Sequence, residues 1–120
     1  MTLHQYVSAA LRRPFEPGRH DCACFVAGWV AIRTGADPMR GWRYRTLRGG
    51  MQALRRRGFA TLADAVSTML PEAPRARPGD VVWIDGAALG ICAGEHAYCV
   101  GEEGLRVVNM ARASRFWRVG

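Results

Sequence analysis

The sequence predicts one α+β domain, with N-terminal helices packed on a C-terminal antiparallel sheet. Two features of the texture predict it. The first seventy residues carry capping signals and apolar residues at helical spacing. After the proline-rich connector "PEAPRARPGD" come the short β-type runs "VVWI", "LGICA", "AYCV", "LRVVNM" and "RFWRV", separated by glycine or acidic turns. A length of 120 residues suits a single domain with one modest core.

Thr2 is placed to cap a first helix with Leu3, Tyr6, Val7, Ala10 and Leu11 on one face. "RPFEPG" ends it through Pro14, Pro17 and Gly18. Asp21 then reads as the N-cap of a second helix, roughly Cys22 to Arg33. Phe25, Val26, Trp29, Val30 and Ile32 make this helix mostly apolar, hence central, with Trp29 in the core. Gly35 is its expected stop. "MRGWRYRTLRGG" reads as a long loop or a short irregular helix. Met51 to Arg57 reads as a short helix ended by Gly58. Thr61 and Asp64 are spaced as a capping box. Val81 to Ile84 and Leu89 to Ala93 are the expected central strands.

No apolar run approaches the roughly 20 residues of a membrane-spanning helix, so no membrane span is expected. "MTLHQYVSAALRR" lacks the layout of a secretory signal, which predicts assembly in a cytoplasm. The net charge is +7, and all 17 basic residues are arginine. A basic balance favours an anionic partner without naming one. The four cysteines, Cys22, Cys24, Cys92 and Cys99, are too few for a disulfide scaffold.

"GRHDCACFVAGWV" holds the candidate chemistry. A cysteine in the first turn of a helix sits at the positive end of the macrodipole, which lowers a thiol pKa. Cys22 therefore reads either as a nucleophile or as a small buried apolar residue. A metal is the third option, because "H-x-C-x-C" at His20, Cys22 and Cys24, with His96 and Cys99, supplies zinc-type ligand atoms. On a helix, however, Cys22 and Cys24 would lie about 200° apart and could not share an ion. No metal and no cofactor is expected.

An arginine–aromatic stretch is a second candidate site. Arg40, Arg43, Arg45 and Arg48 interleave with Trp42 and Tyr44. These residue types favour protein interfaces and anion binding. No nucleic-acid-binding signature accompanies them, so nucleic acid is not the expected partner.

"DCACFV" resembles the "D-C-S-G-F-V" motif of the NlpC-type peptidoglycan peptidases, a papain-like family. "RPGDVVWI", "LGICAG" and "RFWRV" resemble, in order, that family's entry to the first core strand, its next strand and its closing strand. The likeness runs from about residue 15 to the end. It implies a papain-like fold in which a helix-start cysteine faces a histidine on the sheet, oriented by a third polar residue. The nucleophile then falls on Cys22, the base on Ala88 and the orienting residue on or near Val100. The last two are degenerate, and the remaining imidazoles are His20, two residues before Cys22, His96, expected in a turn, and His4 on the first helix. His20 is the first substitute base to consider and His96 the second.

The whole pattern most resembles small relatives of this family encoded among phage or gene-transfer-agent tail genes. That resemblance implies a structural component of a tail tip or baseplate, made in the host cytoplasm and located in the virion, with other tail proteins as partners. The alternative is an active cysteine peptidase or amidase that cleaves peptidoglycan with Cys22 as nucleophile. With Ala88 and Val100 apolar, Cys22 is expected to have no imidazole nitrogen within hydrogen-bonding distance.

Overall fold

A computed structural model describes residues 1–120 as two layers, helices over a six-stranded sheet. The helices are α1 (Leu3–Ala10), α2 (Cys22–Thr34), α3 (Leu47–Arg56) and α4 (Leu62–Ser67). The strands are β1 (Glu72–Ala73), β2 (Val81–Ile84), β3 (Ala88–Cys92), β4 (His96–Gly101), β5 (Gly104–Asn109) and β6 (Ala113–Trp117). None of the helices is long and apolar enough to cross a membrane.

Each helix start carries its own side-chain cap. Thr2 with Gln5 and Thr61 with Asp64 form reciprocal capping boxes, and Asp21 and Thr46 cap α2 and α3. Gly35 ends α2 in the left-handed conformation, φ 81°, as expected of a glycine just past a helix. The third helix differs from the sequence expectation. It begins at Leu47, not Met51, because the Thr46 hydroxyl accepts the Gly49 N–H at 2.9 Å. Two glycines at its start concealed it, since glycine lowers helix propensity by about 1 kcal/mol.

The sheet is antiparallel throughout, in the order β1-β6-β2-β3-β4-β5. The chain meanders from β2 to β5, then returns through a short 3₁₀ turn (Met110–Arg112) so that β6 pairs with the free edge of β2. The connector expected to be irregular supplies β1, which pairs with β6.

Alternation along the strands builds two apolar clusters. On the helix-facing side Val81, Trp83, Leu89, Ile91, Val100 and Trp117 pack with Val7, Phe25, Val26, Trp29 and Val30. On the other side Val82, Ile84, Cys92, Ala97, Cys99 and Val108 form a second cluster, with Met110 of the 3₁₀ turn and Phe116 of β6 packed against it. Indole N–H groups link the layers. Trp29 Nε1 donates to the Gly79 carbonyl at 2.9 Å, and Trp117 Nε1 to the Ser67 hydroxyl at 3.0 Å. Trp29 lies in the core with Phe25 and Val26, as its spacing predicted. Ile32 does not: it faces solvent at the end of α2.

Candidate functional site

The start of α2 is organised by Asp21. Its carboxylate is buried and accepts three hydrogen bonds: from the Cys24 N–H at 2.8 Å, the Gly18 N–H at 2.9 Å and the Tyr44 hydroxyl at 2.5 Å. Burial alone would raise the carboxyl pKa, but these donors outweigh it and hold Asp21 below the usual carboxylate range. Tyr44 reaches this carboxylate because the chain at Gly18 passes against its carbonyl. A methyl group added at Gly18 would sit 1.9 Å from the Tyr44 oxygen, and φ there is +83°. Burial and the Asp21 carboxylate together raise the Tyr44 pKa strongly, so the phenol stays protonated as a donor. Its oxygen also lies 3.8 Å from the Cys24 sulfur.

Cys22 occupies the first turn of α2, half-buried, packed against the helix-facing core. Burial pushes its thiol up to about 11. The backbone amide of Leu89 pulls the other way, and the Asp21 carboxylate adds to the rise. The sequence left two readings open, a thiol made acidic by the helix terminus and a small buried one. Desolvation wins, because a thiolate here would lose its hydration without gaining a cation. At pH 7 the thiolate fraction is then only on the order of one in ten thousand. Burial likewise pushes Cys24 up to about 12, with Asp21 contributing.

None of the three imidazoles hydrogen-bonds a cysteine sulfur. His20, the first substitute base, is only 2% exposed, and neither ring nitrogen has a hydrogen-bond partner. Its backbone is held by a two-way bridge to Glu16, and its ring stands edge-on to Phe25 with centroids 6.3 Å apart. Burial, reinforced by the positive charge of Arg13, lowers its pKa against the opposing pull of Asp21, so the ring is neutral at pH 7. His96 is not in a turn. It opens β4 opposite Asn109, with its side chain exposed. His4 is exposed on α1.

Ala88 begins β3. By strand alternation its side chain shares the face of Gly90 and Cys92, while Leu89 and Ile91 face the helices. The β3 residue presented to the Cys22 side is therefore Leu89. Val100 on β4 faces the same way and is buried. Cys22, Leu89 and Val100 all line one groove of about 290 Å³. Its walls are Val26, Ala27 and Val30 of α2, Leu47, Met51 and Leu54 of α3, and Leu62 and Val66 of α4. Trp42 and Tyr44 also line it. No three His, Cys, Asp or Glu side chains converge in a way that could hold a metal ion.

The arginine stretch borders this groove. Arg40, Arg43, Arg45 and Arg48 are exposed. The aromatics among them are engaged within the fold: the Arg57 guanidinium stacks 4.0 Å over Trp42, and Tyr44 is bonded to Asp21. Arg57 also donates to the Gly41 carbonyl at 2.7 Å.

A family model described as "Domain of unknown function (DUF6950)" matches residues 1–119. The chain belongs to DUF6950. No curated protein and no solved structure matches it. Two features of this DUF6950 domain escaped the sequence reading, the Asp21–Tyr44 bond and the apolar groove. The bond spans 23 residues and has no local signal. A signal for the groove was present in the apolar residues of α3, at positions 47, 51 and 54, which share one helical face.

Proposed function

We propose that this DUF6950 domain is a structural, non-hydrolytic subunit of a phage or gene-transfer-agent tail tip or baseplate, built on an NlpC-type papain-like fold whose catalytic histidine is lost. It would be made in the host cytoplasm, act in the virion and contact other tail proteins. The element order supports the fold assignment: a cysteine-led central helix packs on an antiparallel sheet closed by a C-terminal strand.

The observation that carries the loss of activity is the surroundings of Cys22. Its sulfur has no imidazole partner, and Cys22 shares with Leu89 and Val100 the lining of an apolar groove. Amide cleavage needs a base to generate the thiolate and an acid to protonate the departing amine, and neither is in place. A peptidoglycan stem peptide would also have to bury its polar backbone where almost nothing can hydrogen-bond it.

The test is to incubate the purified protein with peptidoglycan sacculi and measure released peptides by mass spectrometry. No release is expected, and Cys22→Ala should leave particle assembly intact. Release that Cys22→Ala abolishes would overturn the proposal. One observation favours the peptidase alternative: His20 lies two residues before Cys22 with both nitrogens unpaired. If release is seen, loss of it in His20→Ala would identify that base.

A further inference from the structure

Residues 38 to 63 hold seven arginines and no acidic residue, so this segment carries the whole net charge of +7. The remaining positions balance, ten arginines against ten acids. None of the seven takes part in any of the fold's ion pairs, which use Arg19, Arg112, Arg115 and Arg118. The same segment supplies one wall of the apolar groove. Leu47 and Met51 on that wall are 49% and 45% exposed, and Met69, which also lines the groove, is 43% exposed. Trp42 also lines a second hollow of about 220 Å³, shared with Arg43, Arg56 and Arg57. Trp42 thus belongs to both an apolar trough and a cationic seat.

We infer that trough and seat together bind an acidic amphipathic segment of a partner protein, its aliphatic side chains in the groove and its carboxylates on Arg43 and Arg56. This deepens the structural reading by naming the chemistry of the partner, and it rests on the groove not being a peptidase cleft. Charge complementarity selects the sign of the occupant, because so many unpaired guanidinium groups repel one another until carboxylates intervene. The trough selects its amphipathicity, since apolar anchors repeating at helical spacing fill such grooves. Methionine on the rim adapts to varied anchors.

Nucleic acid fits less well. Its bases would need free aromatic faces, and Trp42 is already covered by Arg57 while Tyr44 is held by Asp21. Its sugar–phosphate backbone would leave the trough unfilled. An anionic membrane would satisfy the arginines, but it offers no defined anchor for the trough.

The test is selection of displayed random peptides, about four helical turns long, on the immobilised full chain. In parallel, binding of an oligothymidine strand and of vesicles containing phosphatidylglycerol is titrated. The expected winners carry aliphatic residues three or four positions apart and a net negative charge. Met51→Glu should weaken them at least about tenfold, and Arg43→Glu with Arg56→Glu should do the same. These positions are exposed, so an unchanged thermal melt of each variant will show that folding is intact. The inference is overturned by winners without acidic enrichment, by no enrichment, or by winners indifferent to Met51→Glu. Tighter binding of the oligonucleotide or vesicles, unaffected by Met51→Glu, also overturns it. No cell-wall substrate is present, so this result stands apart from the hydrolysis assay.

Discussion

Asp21→Ala should be among the most damaging single changes in this domain, and the structure sets the scale. The substitution removes the α2 cap at Cys24, worth about 1 kcal/mol. It also strips the acceptor from the Gly18 N–H and the Tyr44 hydroxyl, each a bond to a charged group worth about 1.5 kcal/mol or more. Tyr44 is only half-buried, so water recovers part of its loss. The net expectation is about 3 kcal/mol, a fall in Tm of roughly 10 °C for a domain of this size. Asp21→Asn keeps a good cap and should lose only about half as much. The assay is guanidinium unfolding followed by tryptophan fluorescence.

The pH dependence of Asp21 has a fixed sign. A carboxyl whose folded pKa lies below its unfolded value stabilises above about pH 4, and that stability is lost as the pH falls through the folded pKa. The gap between wild type and Asp21→Asn should therefore narrow on acidification below pH 4. Asp21→Ala within about 1 kcal/mol of wild type, or Asp21→Asn equal to Asp21→Ala, would refute the reasoning.

Trp29→Ala should cost about 3 to 5 kcal/mol, because it empties the centre of the core and strands the Gly79 carbonyl; a melt within a degree or two of wild type would reject this. His20 binds its proton less readily folded than unfolded, so it should erode stability as the pH drops below about 6.5. Guanidinium midpoints measured between pH 7 and 5 should consequently fall less in His20→Phe than in wild type. Gly18→Ala should destabilise by more than about 1 kcal/mol in the same unfolding assay, since it combines an unfavourable φ with a clash against the Tyr44 carbonyl.

Much of the fold was legible because its signals are local. Asp21, Thr2 and Thr61 each announce a helix start through a side chain that reaches only three residues along the chain. The glycine and acidic turns bounded β2, β3 and β4 for the same reason. What stayed hidden depends on distant partners. The two-residue strand at Glu72 exists only because β6 returns to pair with it. Nothing near His20 in the sequence signals its burial, which comes from the Glu16 bridge and Phe25. The helix position of Cys22 left an acidic thiol and a buried one both open, and only the folded chain, which packs it against the core, decides for burial. Trp42 and Tyr44 read as interface residues, and only the folded chain shows Arg57 and Asp21 already occupying them.

The central claim is that Cys22 is a thiol without a base. The rate of its alkylation by iodoacetamide as a function of pH, followed by peptide mass mapping, tests this most directly. A buried thiol without a base should react little near pH 6 to 7, with a rate still climbing beyond pH 9 toward a midpoint near 11. A rate that has already levelled off below about pH 7 would reveal a thiolate paired with a cation, and would contradict the claim.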